Sequence, residues 1–130
     1  MHSSRTVAAL AGALMIASGG QASAQGEVNV YTYRETKLIQ PLFDAFSKDT
    51  GIKVNVISAS SGLEQRIKTE GANSPADVLL SVDVARLQDA VDAGITQPIK
   101  SAALEKTVPK AYHGPDGNWY GISIDRKSVV

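Results

Sequence analysis

The stretch Val28-Asn29-Val30-Tyr31-Thr32-Tyr33-Arg34-Glu35 decides how the fold is read. Val28 and Val30 alternate with Asn29 and Tyr31, the period-two spacing of a strand, and the β-branched and aromatic content agrees. At Arg34-Glu35-Thr36-Lys37 the pattern turns polar and charged, and helical spacing starts at Leu38. A strand that runs into a charged corner and then a helix predicts the first unit of an open α/β sheet. Ligands of such sheets bind just outside the carboxyl ends of the strands. Tyr33, Arg34 and Glu35 are therefore expected at a ligand mouth.

Downstream, Leu38, Ile39, Leu42, Phe43 and Phe46 recur at helical spacing. They predict an amphipathic helix over 37–48 with one apolar face, Pro41 in its first turn and Gly51 as a left-handed cap. Ile52, Val54 and Val56 alternate as a second strand, and a right-handed parallel crossover is the default connection. Ser61-Gly62-Leu63-Glu64 has the spacing of a capping box, which places a helix start at Ser61 and its end at Gly71. Val78-Leu79-Leu80-Ser81-Val82 reads as a strand buried on both faces. Asp83 stands at its end, and Val84, Leu87 and Val91 mark a helix stopped by Gly94. Ser101 is expected to cap a short helix over 102–107. His113 to Asn118 is a turn signal, and 119–124 reads as a further strand. The order βαβαβα predicts an α/β domain with a mostly parallel sheet flanked by helices.

The amino terminus reads differently. Met1 to Arg5 is short and basic, Thr6 to Ser18 is small and apolar, and Ala22-Ser23-Ala24 has the A-x-A form. Residues 1–24 are thus expected to be a secretory signal peptide, cleaved between Ala24 and Gln25, with export to the periplasm. The chain of 130 residues has no cysteine, which excludes disulfides and thiolate metal sites. Its formal net charge of +0 argues against a nucleic-acid partner.

Three loops follow strands: Tyr33-Arg34-Glu35, Ser58 to Gly62, and Asp83. On a parallel sheet all three emerge at one edge. Arg34 donates bidentate hydrogen bonds to planar oxyanions. A helix start at Ser61 and Gly62 adds backbone N–H donors and a positive dipole end. Together they form a cradle for an anion, or for an anion with a metal. The bland alternative is that Arg34 is a solvated or structural residue. Asp77 reads as a turn residue, and Trp119 and Tyr120 as core aromatics. A serine hydrolase using Ser60 or Ser61 is the reading from another class. It lacks a nucleophile elbow, and the two histidines are His2 in the leader and His113 in a turn.

Several segments go further. Val30-Tyr31-Thr32-Tyr33-Arg34-Glu35, Phe43-Asp44-Ala45-Phe46 through Thr50-Gly51-Ile52-Lys53-Val54, Glu70 to Asp83, and Asp116-Gly117-Asn118-Trp119-Tyr120-Gly121 resemble, in order, the ferric-ion-binding periplasmic proteins. These are the solute receptors of bacterial iron(III) ABC importers. The resemblance covers about 27–123. It implies the N-terminal α/β lobe (25–123) of a periplasmic-binding-protein-like fold of type II, and a receptor that closes on its ligand by hinge bending. It further implies ferric ion as cargo, a hard cation that prefers oxygen ligands. Carbonate or a similar anion would be held with it, and an ABC permease of the inner membrane would receive it. The receptor is expected to be a monomer and not an enzyme. Arg34 and Glu35 fall where the family places its anion contacts, with Tyr33 beside them as the metal-ligand candidate of this stretch. Family members often carry Gln or His where this chain has Glu35. The paired tyrosines that dominate iron ligation in the family lie beyond the part matched here. Residues 124–130 depart from the family pattern, with Arg126 a loose match, and a truncated or frame-shifted end is expected. The same scaffold serving another anion or a polyamine is the nearest alternative.

Overall fold

A computed structural model describes residues 26–123. The expected signal peptide and the divergent end at 124–130 lie outside them. The elements run β1 (Glu27–Thr32), α1 (Thr36–Thr50), β2 (Lys53–Ser58), α2 (Leu63–Glu70), a 3-10 turn at Gly71–Asn73, β3 (Val78–Leu80), α3 (Val84–Asp92), α4 (Ala102–Thr107) and a 3-10 turn at Lys110–Tyr112. The sheet is parallel throughout, in the order β2-β1-β3. Val30 pairs with Val56 on one side and with Val78 on the other. Among the described residues no helix is long and apolar enough to cross a membrane.

The strand order sends the first crossover to one side of β1 and the second to the other. Two right-handed crossovers in opposite directions put α1 and α2 on opposite faces of the sheet. Alternation along β1 agrees: Tyr31 meets α2 through Glu70, so Val30 and Thr32 point to the other face. Val30, Tyr31 and Thr32 are all buried, which makes the end of β1 the centre of the core. Ile39, Leu63, Ala90 and Val108 complete it.

Caps and turns follow local chemistry. Gly51 ends α1 at φ 72, its N–H donating to the Ser47 carbonyl at 2.9 Å. Asp83 accepts from the Arg86 N–H at 2.8 Å and caps α3, and Ser101 caps α4 through the Leu104 N–H. Asp77 does more than turn the chain. Its carboxylate accepts from the Asn29 backbone N–H at 2.8 Å, and its own N–H donates to the Asn29 carbonyl at 2.9 Å. It thereby extends the β1–β3 pairing below β3.

Four expectations need correction. Pro41 is the sixth residue of α1, beyond the first turn. The apolar face of α1 is only partly covered: exposure falls from 72% at Leu38 to 57% at Leu42 and 41% at Phe46, while Ile39 is buried. At about 100° per residue these positions span one arc, and the sheet covers only the edge that carries Ile39. β3 is shorter than expected and not buried on both faces, since Val78 is 45% and Val82 44% exposed. Among the described residues β3 is an edge strand. Finally, no strand forms in the described part of 119–124. Trp119 and Tyr120 belong to a turn closed by one antiparallel bridge between His113 and Tyr120.

A polar knot joins β1 to α2. Tyr31 donates to both oxygens of Glu70 at 3.1 Å, Arg66 donates to Glu70 at 2.8 Å and Ser74 at 2.7 Å. The Arg66 guanidinium also lies 5.0 Å from the centroid of the Tyr31 ring. The Arg66 bond, then the Ser74 bond, hold the Glu70 carboxyl below the ordinary glutamate range. A carboxyl with a lowered folded pKa contributes stability above its unfolded value, and that contribution is lost as pH falls through the folded value. Urea midpoints measured from neutral pH downward should therefore drop on the acid side, and Glu70→Gln should flatten that drop. An unchanged acid limb in Glu70→Gln would remove Glu70 as its source.

Candidate functional site

β1 ends between two neighbours whose connections leave in opposite directions. That crevice at the carboxyl ends is where sheets of this kind bind ligands. Its floor is tightly bonded. Thr32, with no exposure, accepts the Arg34 N–H on its hydroxyl at 3.0 Å. The Arg34 carbonyl accepts from the Ser58 hydroxyl at 3.2 Å, and the Tyr33 N–H donates to the Leu80 carbonyl at 3.2 Å. The backbone of Tyr33 and Arg34 is thus tied to β2 on one side and β3 on the other.

The structure brings the three strand-end loops together, as the sequence implies. Arg34 is half-buried, and Glu35 is exposed at the N-cap position of α1 with no side-chain bond to the helix. Only two ion pairs form among the described residues, Arg66–Glu70 and Arg86–Asp83. The Arg34 guanidinium and the Glu35 carboxylate therefore have no charged partner among them. That leaves a strong bidentate donor and a hard oxygen side by side at the mouth.

The loop after β2 differs from its expected form. The capping box of Ser61 and Glu64 does not form. Gly62, at φ 81, is the N-cap, and no side chain of the loop caps α2. The cap comes from the loop after β1 instead: the Tyr33 hydroxyl accepts from the Leu63 N–H at 2.8 Å and donates to the Glu64 carboxylate. Ser61 and Gly62 are exposed beside it. Burial first, then the bond to Glu64, push the Tyr33 phenol above its ordinary pKa. A metal-ligand role for Tyr33 would require this hydroxyl to leave both partners and lose its proton.

Sequence reasoning missed three residues of this region. Glu64 accepts a hydrogen bond from the Tyr33 hydroxyl rather than reaching back to a cap. Arg86 lies with its guanidinium 4.8 Å from the Tyr33 ring centroid and 3.7 Å from the Asp83 carboxylate. Its spacing of three from Asp83 at a helix start was the available signal. Ser81, one residue past β3, has a buried hydroxyl oxygen with no hydrogen-bond partner. Such an orphan is the kind of atom that a ligand or water oxygen satisfies.

Two depressions among the described residues lie elsewhere. One, of about 190 Å³, is lined by Gln88, Val91, Asp116 and Trp119, and a shallower one lies at the opposite sheet edge by Gly26, Gly51 and Lys53. Neither is lined by Arg34, Glu35 or another residue of the three strand-end loops.

Comparison with known proteins gives consistent matches. Residues 32–126 match the family described as bacterial extracellular solute-binding protein. Iron uptake protein A1 of Synechocystis is 46% identical over 107 residues, covering 82% of this chain and 30% of that protein. The Bordetella ferric binding protein superposes with a TM-score of 0.70 at 53% identity, over 72% of this chain and 30% of that one. A Trichodesmium protein solved in complex with iron and citrate ligands gives a TM-score of 0.70 at 47% identity, over 74% of this chain and 31% of that one. The chain thus spans about 30% of the length of these relatives.

Proposed function

Because the chain belongs to the bacterial extracellular solute-binding proteins, we propose that it forms the anion-holding part of a periplasmic receptor for ferric iron. That receptor serves an ABC importer and hands its cargo to the inner-membrane permease. It binds and delivers, and performs no catalysis. The observation that carries the reading is Arg34: a half-buried residue whose guanidinium has no charged partner among the described residues, its backbone bonded on both sides, at the crevice where β1 and β3 end. Arg34 meets the anion that accompanies iron. Glu35 adds a hard oxygen toward the metal, and Ser61 and Gly62 border the mouth from the β2 side. The anion is carbonate or a carboxylate such as citrate; the iron and citrate of the Trichodesmium relative support the second.

The test is a calorimetric titration of the chain with ferric citrate and with bicarbonate. A charge-assisted bidentate contact is worth about 1.5–3 kcal/mol, so Arg34→Ala should weaken anion-dependent binding by about 10- to 100-fold. The thermal midpoint should stay close to that of the parent, because Arg34 bonds the fold through its backbone alone. Equal affinity in parent and variant would remove Arg34 from the site. No binding by the parent, with a thermal shift for another anion or a polyamine, would move the protein to a different ligand class.

A further inference from the structure

Tyr31 in β1 and Tyr33, one residue past its end, both reach α2. Tyr31 bonds Glu70 at the last residue of the helix, and Tyr33 bonds Leu63 and Glu64 at its first two. Each ring carries a guanidinium, but their sources differ. Arg66 over Tyr31 comes from α2 itself, whereas Arg86 over Tyr33 comes from α3. Tyr33 is therefore joined to three different partners. Its N–H holds the end of β3 at Leu80, its hydroxyl holds the start of α2, and its ring holds Arg86 on α3. Arg86 in turn reaches Asp83, the cap of α3. Arg34 is the next residue in the chain.

We propose that Tyr33 is a positioning residue rather than a metal ligand: it ties the starts of α2 and α3 to the loop that presents Arg34, so that the mouth is shaped before any ligand arrives. The role rests on the receptor reading above. The phenol oxygen sits where an anion would otherwise approach the α2 N-terminus, accepting from the Leu63 amide. The first amide of the helix is thus already taken, and the positive side chain of the mouth without a charged partner among the described residues is Arg34. A ligand role would demand that this hydroxyl leave both Leu63 and Glu64, the two groups it already bonds.

Tyr33→Phe and Tyr33→Ala in this chain test the proposal, read by amide hydrogen exchange and by ferric citrate titration with visible spectra. Phe removes the hydroxyl and keeps the ring under Arg86. Exchange at Leu63 and Glu64 should quicken by about 2- to 10-fold, the value of one hydrogen bond, with Tyr31 and Val30 unchanged. Ferric citrate affinity should fall by a similar factor. Ala should lower it further, because the Arg86 contact also goes. The proposal is overturned if exchange at Leu63 stays the same in Phe. It is equally overturned if the parent shows a tyrosinate–iron absorption band that Phe abolishes, which would make Tyr33 a ligand. Failure of the receptor reading shows separately, as no ferric citrate binding by the parent, and the exchange comparison still decides whether Tyr33 holds α2.

Discussion

Tyr31→Ala should unfold at a much lower urea concentration than the parent, whereas Tyr31→Phe should stay near it. Tyr31 is entirely buried in the central strand, among the largest side chains so placed. Truncating a buried aromatic costs about 3–5 kcal/mol, because the neighbours collapse only partly into the space. A domain of this size has about 5–15 kcal/mol in total, so the loss is a large share. Phe keeps the ring and the Arg66 contact and loses only the hydroxyl. Its acceptor, Glu70, still receives Arg66 and Ser74, so no buried acceptor is orphaned and the cost is about 1 kcal/mol. Urea midpoints with their slopes measure both. Equal losses for Ala and Phe would mean that the hydroxyl and its knot, not the ring, hold this face.

Leu63→Ala should lower stability by about 2–5 kcal/mol and loosen the mouth with it. Leu63 is 1% exposed and is the buried residue of α2, at its first position. Its side chain anchors the helix start in the core, while its N–H is held by Tyr33. Removing the side chain leaves a cavity directly beneath the strand-end loops. Leu63→Met, which nearly keeps the volume, should cost less than about 1.5 kcal/mol. The informative comparison is affinity for ferric citrate well below the unfolding transition. It should weaken in Ala and hold in Met, since only Ala frees the helix end. Full stability in Leu63→Ala would show that α2 is not anchored by this residue.

Most of the element order was legible beforehand. Period-two spacing at Val28–Tyr31 and Lys53–Val56, helical spacing from Leu38, and the caps at Gly51 and Ser101 are each signals carried by a few neighbouring residues. Local chemistry decides them. The resemblance to ferric-binding receptors also rested on contiguous segments, and the matches fall on the same stretch. The convergence of Arg34, the Ser58 loop and Asp83 followed from parallel topology alone.

The errors share one cause. The capping box at Ser61 was a local rule overruled by a distant group, Tyr33, thirty residues earlier in sequence and adjacent only after β1 and β2 pair. The full apolar arc of α1 was assigned to the core, but a flat sheet covers only part of a cylinder. The tract at 119–124 has strand composition, yet a strand needs a partner ladder, and the described part offers one bridge. The sequence by itself determined most of the elements, several of their stops and which chemical groups stand at the strand ends, because those depend on neighbours along the chain. Only the tertiary structure decided that Tyr33 caps α2, that Arg86 lies on its ring and that Arg34 is left without a charged partner among the described residues. Those outcomes depend on which side chains meet across strands and helices, and hydrogen-bond competition between distant residues is resolved only once they are packed.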